Sequence, residues 1–292
     1  MSKIAHIKHR IRSVKNTRQI TKAMELVASS KMKRAQDRAI AGRDYALLLA
    51  RLLHIATTHA EIPNHPLMEK REVKRRGILV LSTDKGLCGP LNANLFREIN
   101  KIKGEADFVS VGRKAKQYLS RTGRNLVADF SVSDRVAFGE VRPIIEHMLE
   151  QYRSGRIDTL EVVFPRFINT LIQKTLTVRV LPILDLQEMI DTLDLKKDHK
   201  HVEDLEDNRE IKFEPSAPEI LEKLPDLFIK EQLYQFIVSA KASEHSARRV
   251  AMKNASDNAS KLVDSLILKY NKARQAAITQ EIVEISAAAA SD

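Results

Sequence analysis

Two long stretches without helix-breaking residues, one at each end of the chain, constrain its fold more than any other feature. Residues 1–62 contain no proline and a single glycine, Gly42, and residues 226–292 contain neither. Proline breaks helices and an interior glycine costs about 1 kcal/mol, so these stretches predict continuous helices of roughly 90 to 100 Å each. Two such helices attached to one compact middle can cover their apolar stripes by pairing, which predicts an antiparallel coiled coil.

The apolar residues of the first stretch have the spacing of a coiled-coil seam. Steps of three and four separate Ile4, Ile7, Ile11 and Val14. Farther along the same stretch the seam residues become small, at Ala35, Ala39, Gly42 and Ala46. Small seam residues permit a partner helix to approach closely, so this part is predicted to pair tightly.

The second stretch has a clear start signal. Ser216 and Glu219 have the arrangement of a capping box, and Pro218 stands in the first turn. Pro225 is expected to kink or interrupt the helix that follows.

The middle of the chain alternates strand-like and helical patterns. Short β-branched runs occupy 77–82, 106–112, 159–167 and 170–183, the last two as a hairpin. Helical spacing occupies 91–103, 114–122 and 140–153. This alternation predicts a parallel sheet with crossover helices, a small Rossmann-like α/β domain. The predicted domains are an N-terminal helix (1–62), the α/β domain (75–214), in which 191–208 is expected to be a mobile loop, and a C-terminal helix (216–292).

The positive charge of the chain is concentrated in its first helix. Residues 1–43 carry twelve Lys and Arg against Glu25 and Asp37, a net +10 of the total +11. Such a helix is expected to seek an acidic partner, whether nucleic acid, anionic lipid or carboxylates on another protein. A basic coiled-coil nucleic-acid-binding protein is the alternative that this charge leaves open, although no aromatic residue precedes Tyr45 to stack on bases.

Signals for catalysis are weak. The turn TDKGLCG follows a predicted strand and precedes a predicted helix, where α/β proteins bind phosphates, but it matches no nucleotide-binding motif. A nucleotide-using α/β enzyme is therefore a weaker interpretation than the basic nucleic-acid-binding protein and ranks third of the three functions considered. Cys88 lacks a nearby base and is expected to be an ordinary thiol, and a lone cysteine is typical of a reducing cytoplasm. His199 and His201 stand in a hydrophilic segment without a second ligand cluster, so a solvated loop is favoured over a metal site.

Four segments of the chain resemble one known family. They are RIRSVKNTRQITKAMELVASSKMKRAQ (10–36), STDKGLCGPLN (82–92), AKASEHSARRVAMKNASDNA (240–259) and YNKARQAAITQEIVEI (270–285). They are similar, in the same order, to signatures of the gamma subunits of F-type ATP synthases. The resemblance covers essentially the whole chain.

The resemblance implies a central rotor stalk that has no catalytic, cofactor-binding or metal-binding residues of its own. In that family the terminal helices turn inside a ring of alternating alpha and beta subunits, which hold the nucleotide sites. The α/β domain lies beside the epsilon subunit and the membrane c-ring, so the resemblance also implies a peripheral protein. A sequence without a presequence favours the cytoplasmic face of a bacterial inner membrane, and a processed organellar protein is the alternative that stays open. It further implies that basic residues of the first helix meet acidic loops of beta. The positions that match family residues tied to beta contacts or coupling are Met24, Arg248, Arg274, Gln275, Thr279 and Glu281.

Overall fold

A computed structural model of the chain describes residues 2–59, 65–184, 214 and 216–289. Five helices and five strands lie in these ranges. The helices are α1 (Ser2–His59), α2 (Leu91–Lys101), α3 (Arg113–Arg121), α4 (Phe138–Arg153) and α5 (Ala217–Ala289). The strands are β1 (Arg76–Leu81), β2 (Ala106–Val111), β3 (Leu126–Phe130), β4 (Thr159–Phe167) and β5 (Gln173–Leu181).

The two terminal helices confirm the main sequence prediction. α1 is continuous over 58 residues and α5 over 73. They run in opposite directions, because Arg18 contacts Ser260 while Gly42 lies against Gln235. At Gly42 an added Cβ would lie 1.9 Å from Gln235 Nε2, so a larger residue there would displace the end of the Gln235 side chain.

The start of α5 has the predicted capping box. Ser216 Oγ accepts a hydrogen bond from the backbone N–H of Glu219 at 3.4 Å and donates one to the Glu219 carboxylate at 2.9 Å. Of the two effects predicted for Pro225, an interruption is wrong, because α5 continues through it, whereas a kink stays a prediction. A proline inside a helix costs about 3 kcal/mol. Buried Leu224, Phe228 and Ile229 flank Pro225, and at about 1.5–3 kcal/mol for each buried side chain they outweigh that cost.

The sheet has the order β3-β2-β1-β4-β5. The first four strands are parallel and β5 pairs antiparallel with β4, as expected for the predicted hairpin. The prediction lacked β3, an edge strand whose residues alternate between half-buried and exposed. The mixed α/β fold class with long terminal helices is confirmed.

Both faces of the sheet are covered. On β1, Ile78 and Val80 point into a core shared with α2 and α3, whereas Leu79 and Leu81 point into a larger core. That larger core contains α4 together with residues 47–56 of α1 and residues 221–240 of α5. The terminal helices therefore form part of the core of the α/β domain.

The chain divides into two compact units, and the division falls inside the terminal helices. One unit comprises Met1–Ser29 with Arg248–Asp292, and the other comprises Ser30–Ala247. We call them the helical unit and the α/β unit. The segment 191–208, with His199 and His201, lies outside the described residues. Within the described ranges, no helix is both long enough and apolar enough to cross a membrane.

Candidate partner-binding surfaces

The helical unit is built on a seam between its segments of α1 and α5. On α5 the buried residues step by four and three, at Met252, Ser256, Ala259, Val263 and Leu266. On α1, Thr21, Glu25 and Ala28 are buried with the same steps. Arg18 Nη1 donates a hydrogen bond to Ser260 Oγ at 3.1 Å across the pair. This spacing is that of a two-helix coiled coil, with half-buried residues beside the seam and exposed residues on the outer faces of both helices.

All six sequence-predicted site residues lie in the helical unit. Met24 and Arg248 are half-buried. Since Met24 follows the buried Thr21 by three residues and precedes the buried Ala28 by four, its side chain contributes to the seam and still presents surface. The burial of Met24 is compatible with both the packing and the partner-binding interpretation.

The other four predicted residues, Arg274, Gln275, Thr279 and Glu281, are exposed on the last third of α5. Thr279 Oγ1 donates to the carbonyl oxygen of Gln275 at 2.9 Å, which places these two residues on one face of the helix. Exposed polar groups at these positions are available to a partner, and replacing them leaves the seam intact.

An apolar surface near the end of α5 was not predicted from the sequence. Its exposed members are Ile278, Ile282, Val283 and Ile285. Ser2, the first residue of α1, precedes Arg18 by sixteen residues, and sixteen residues beyond Ser260 is position 276. With antiparallel pairing, no described residue of α1 lies opposite α5 beyond about residue 276. The signal for this surface in the sequence is the group of apolar residues at 282, 283 and 285.

The helical unit is strongly basic. It contains fourteen Lys and Arg and six Asp and Glu, a net charge of +8 out of +11 for the chain. Residues 1–24 include no acidic residue, and Lys8, Arg10, Arg12 and Lys15 are all exposed. Lys22 forms an ion pair with Glu25 at 3.0 Å. This surface is complementary to carboxylates or phosphates of a partner.

Side chains of the TDKGLCG turn, in the α/β unit, pack against and hydrogen-bond to neighbouring residues of the same chain. Cys88 is buried and packs against Leu91 of α2 and Ala247 of α5. Asn92 Nδ2 donates to Thr83 Oγ1 at 2.8 Å and to Cys88 Sγ at 3.3 Å. The turn is therefore packed against α5, and its geometry favours a structural role.

The N-terminus of α3, the other place where this fold can hold a phosphate, is capped from within the chain. The backbone N–H of Arg113 donates to Asp84 Oδ1 at 3.2 Å, that of Lys114 to the carbonyl of Thr83 at 3.0 Å, and that of Ala115 to Ser82 Oγ at 2.8 Å. These amides already have acceptors, so they do not form an open anion site.

Comparisons with known proteins cover the whole chain. A family model described as ATP synthase matches residues 3–291. The chain is 50% identical over 288 residues to the ATP synthase gamma chain of Opitutus terrae, covering 99% of this chain and 98% of that protein. It is 44% identical over 294 residues to the ATP synthase gamma chain of Methylacidiphilum infernorum, with the same coverage of 99% and 98%. A chain from the rotor of the Euglena gracilis mitochondrial ATP synthase has a similar fold, with a TM-score of 0.63 at 16% identity, covering 95% of this chain and 99% of that chain.

Proposed function

Because this chain belongs to the family of ATP synthase gamma chains, we propose that it is the central rotor stalk of an F-type ATP synthase. In this role it couples proton flow through a membrane c-ring to sequential conformational change at the nucleotide sites of the beta subunits. The observation that carries the proposal is the 50% identity to a gamma chain over almost the whole of both proteins. Family membership also confirms the resemblance predicted from the four sequence motifs.

The mechanism requires that the stalk make different contacts with each of the three identical beta subunits. A partner shifts a conformational equilibrium only by as much as its interaction free energy differs between the states. A pair of helices has no threefold symmetry, so three identical beta subunits around it meet three different surfaces. Turning the pair takes each site through its states in order. One proton crossing 100 mV releases about 2.3 kcal/mol, so several crossings combine to release one ATP.

The surfaces of the helical unit fit this role. The exposed basic residues of α1 are suited to acidic loops at the inner rim of the beta subunits. The apolar end of α5 is suited to an apolar lining of the ring formed by alpha and beta. Met24, Arg248, Arg274, Gln275, Thr279 and Glu281 are proposed to contact beta or to support coupling.

The α/β unit is proposed to connect the stalk to the rest of the rotor. In this assignment its partners are the epsilon subunit and the c-ring, outside the alpha–beta ring. The protein is then peripheral, on the cytoplasmic face of a bacterial inner membrane.

Nucleic-acid binding is the alternative that the basic helix raised. The relatives described above are ATP synthase chains, and none of them supports it. The alternative predicts retention on a polyanion column that is lost between low and moderate salt, without association with alpha and beta subunits.

Reconstitution tests the proposal directly. We expect the chain, mixed with the alpha and beta subunits of the Opitutus terrae synthase, to form a complex with ATPase activity. A bead attached through Arg121→Cys, at the exposed end of α3, should then rotate in one direction during ATP hydrolysis. If the Opitutus terrae gamma chain assembles under the same conditions and this chain elutes alone, the proposal is wrong.

Arg274→Ala is expected to weaken coupling without unfolding the chain. Arg274 is exposed, so the unfolding free energy should change by less than about 0.5 kcal/mol. A hydrogen bond to a charged group is worth about 1.5–3 kcal/mol, so losing one to beta should lower proton-driven ATP synthesis about tenfold. Lys272→Ala, two residues earlier on the same helix, is the control and should retain synthesis. Unchanged synthesis in membranes that carry Arg274→Ala would contradict this assignment.

A further inference from the structure

A polar stretch of α5 is buried in the α/β unit. Every residue of the sequence KASEHSA, 241–247, is buried, including Lys241, Glu244 and His245, of which His245 is only 2% exposed. Buried charged and polar groups are unfavourable unless they have partners. Loops at one edge of the sheet supply several partners of this stretch.

Loops that follow the parallel strands hold this stretch at the carboxyl edge of the sheet. After β1, Asp84 lies 3.7 Å from Lys241 Nζ, which also lies 3.4 Å from the Glu244 carboxylate. After β4, the carbonyl oxygen of Thr170 accepts a hydrogen bond from Ser246 Oγ at 2.8 Å. After β3, Asp134 Oδ1 lies 3.3 Å from His245 Nε2.

Asp134 differs from the other contacts because it reaches both terminal helices. Its second oxygen accepts a hydrogen bond from Lys31 Nζ of α1 at 2.5 Å. The same loop contacts each terminal helix once more through its backbone. Arg38 of α1 donates a hydrogen bond to the carbonyl of Arg135, and Tyr234 of α5 donates one to the carbonyl of Val136 at 3.1 Å. The loop 133–136 therefore binds α1 and α5 together.

The electrostatics favour a charged Asp134. Burial by itself raises the pKa of the Asp134 carboxyl, but the hydrogen bond from Lys31 and the nearby basic groups of His245 and Lys241 outweigh burial and lower the pKa below its ordinary value. The geometry of the loop is held under strain, since Val136 has a φ of +47°, which a β-branched residue rarely adopts. Such strain persists only where surrounding contacts fix the backbone, and it often marks a functional position.

The location of these contacts gives them a specific role. Lys31 and His245 lie within three residues of the points where α1 and α5 leave the α/β unit, at positions 30 and 247. Deeper in the unit the same helices are held by an apolar cluster. Apolar contacts are non-directional, whereas ion pairs and hydrogen bonds fix the relative position of the groups they join.

We propose that Asp134 is a positioning residue that locks the α/β domain to both terminal helices and limits twisting between them when torque passes. The torque part of this inference rests on the proposed function, whereas the lock itself is a property of the chain alone. Losing the Asp134 charge should loosen the stretch 239–247 and the loop 133–136 while the sheet and the apolar cluster stay folded.

Hydrogen exchange on the purified 292-residue chain tests the lock without any partner. We expect Asp134→Asn to accelerate exchange in peptides covering 131–137 and 239–247 at least fivefold, and Asp134→Glu to restore slow exchange. Asp129→Asn is the matched control. Asp129 forms an ion pair with Lys116 at 2.9 Å and its side chain is 46% exposed, against 41% for Asp134, but Lys116 belongs to α3 of the domain itself. Equal exchange in Asp134→Asn and Asp129→Asn would overturn the lock.

Angular fluctuation of a bead on the α/β unit tests the torque part, in complexes with alpha and beta subunits that have normal ATPase activity. We expect the variance during the wait for ATP to rise at least twofold in Asp134→Asn and to stay unchanged in Asp129→Asn. Lys31→Gln should raise the variance too, and adding it to Asp134→Asn should have no further effect, because both remove one interaction. Faster exchange with unchanged variance would overturn the role in torque. Failure of the wild-type chain to assemble would contradict the proposed function. The hydrogen-exchange experiment would then still show whether Asp134 holds the loop 133–136 to the two helices.

Discussion

Phe236→Ala is expected to lower the free energy of unfolding by about 3 to 5 kcal/mol. Phe236 of α5 is 1% exposed, and its ring centroid lies 4.5 Å from that of Phe164 on β4. Protein interiors are close-packed, so truncation loses the transfer free energy of the ring and leaves a cavity that its neighbours fill only in part. Urea unfolding of the 292-residue chain measures the change.

Phe138→Ala is the control for Phe236→Ala. Phe138 also contacts an aromatic side chain of α5, Tyr234, with ring centroids 5.9 Å apart, but it is 50% exposed. We expect it to lower the unfolding free energy by less than about 1.5 kcal/mol, since half of its ring already contacts solvent. A loss in Phe236→Ala as small as the loss of less than about 1.5 kcal/mol expected for Phe138→Ala would show that α5 is not an integral part of the core of the α/β unit.

The terminal helices could be predicted because their signals are local. The absence of proline and glycine and the Ser216 capping signal act within a few residues, and both terminal helices and the hydrogen bond of Ser216 with Glu219 were found as expected. The predicted apolar stripe was correct at Ala28 but wrong at Ile20, Val27 and Leu262, which are exposed. Pro225 was misjudged because its local effect is opposed by burial of Leu224, Phe228 and Ile229, which depends on the distant α1 and α4. Local sequence patterns do not show which distant segments pack together, so they could not predict that burial would offset the cost of Pro225.

The missed strand β3 has the same explanation. Leu126–Phe130 contains Asp129 and lies at the edge of the sheet, where one side is exposed. Its pairing with β2 supplies the stability that its own composition lacks. Strands at 77–82 and 159–167 were easier to recognise, since central strands are buried on both faces and read as continuous apolar runs.

The candidate site was predictable only in part. The resemblance placed six residues on the terminal helices, and their contacts with partners remain predictions. Two features escaped sequence reasoning: the apolar surface at Ile278, Ile282, Val283 and Ile285, and the buried polar stretch 241–247. The stretch KASEHSA has the composition of an exposed helical turn, and only the loops after β1, β3 and β4 make it buried.

The position of that stretch relates the fold to the proposed function. In open α/β sheets, ligands bind at the carboxyl ends of the strands, where the connections change direction. Here the order β3-β2-β1-β4 places that point between β1 and β4, and the loops there contact α5. In other open α/β sheets a ligand binds at this point, whereas here α5 of the same chain binds there. In the proposed function, these contacts connect the α/β domain to the helix that it turns.

Gly112→Ala is expected to lower the unfolding free energy by about 2 to 6 kcal/mol, through strain and overpacking that each contribute about 1–3 kcal/mol. Gly112 joins β2 to α3 with a φ of +95°, a conformation that residues with a Cβ rarely adopt. An added Cβ would lie 2.5 Å from the carbonyl oxygen of Ser82. Because that contact is with backbone, relief requires β1 and β2 to move apart, which breaks the hydrogen bond from Ser82 N–H to the carbonyl of Val111 at 2.8 Å.

Gly139→Ala separates this effect from the general consequence of replacing glycine. Gly139 lies in the first turn of α4, an added Cβ there meets nothing within 4 Å, and its φ is outside the left-handed region. Since alanine is the better helix former, the unfolding free energy of this variant should stay unchanged or rise by up to about 1 kcal/mol. Thermal or urea unfolding of both variants gives the comparison. If Gly112→Ala and Gly139→Ala have the same free energy of unfolding, the close approach of Gly112 to Ser82 does not constrain the sheet.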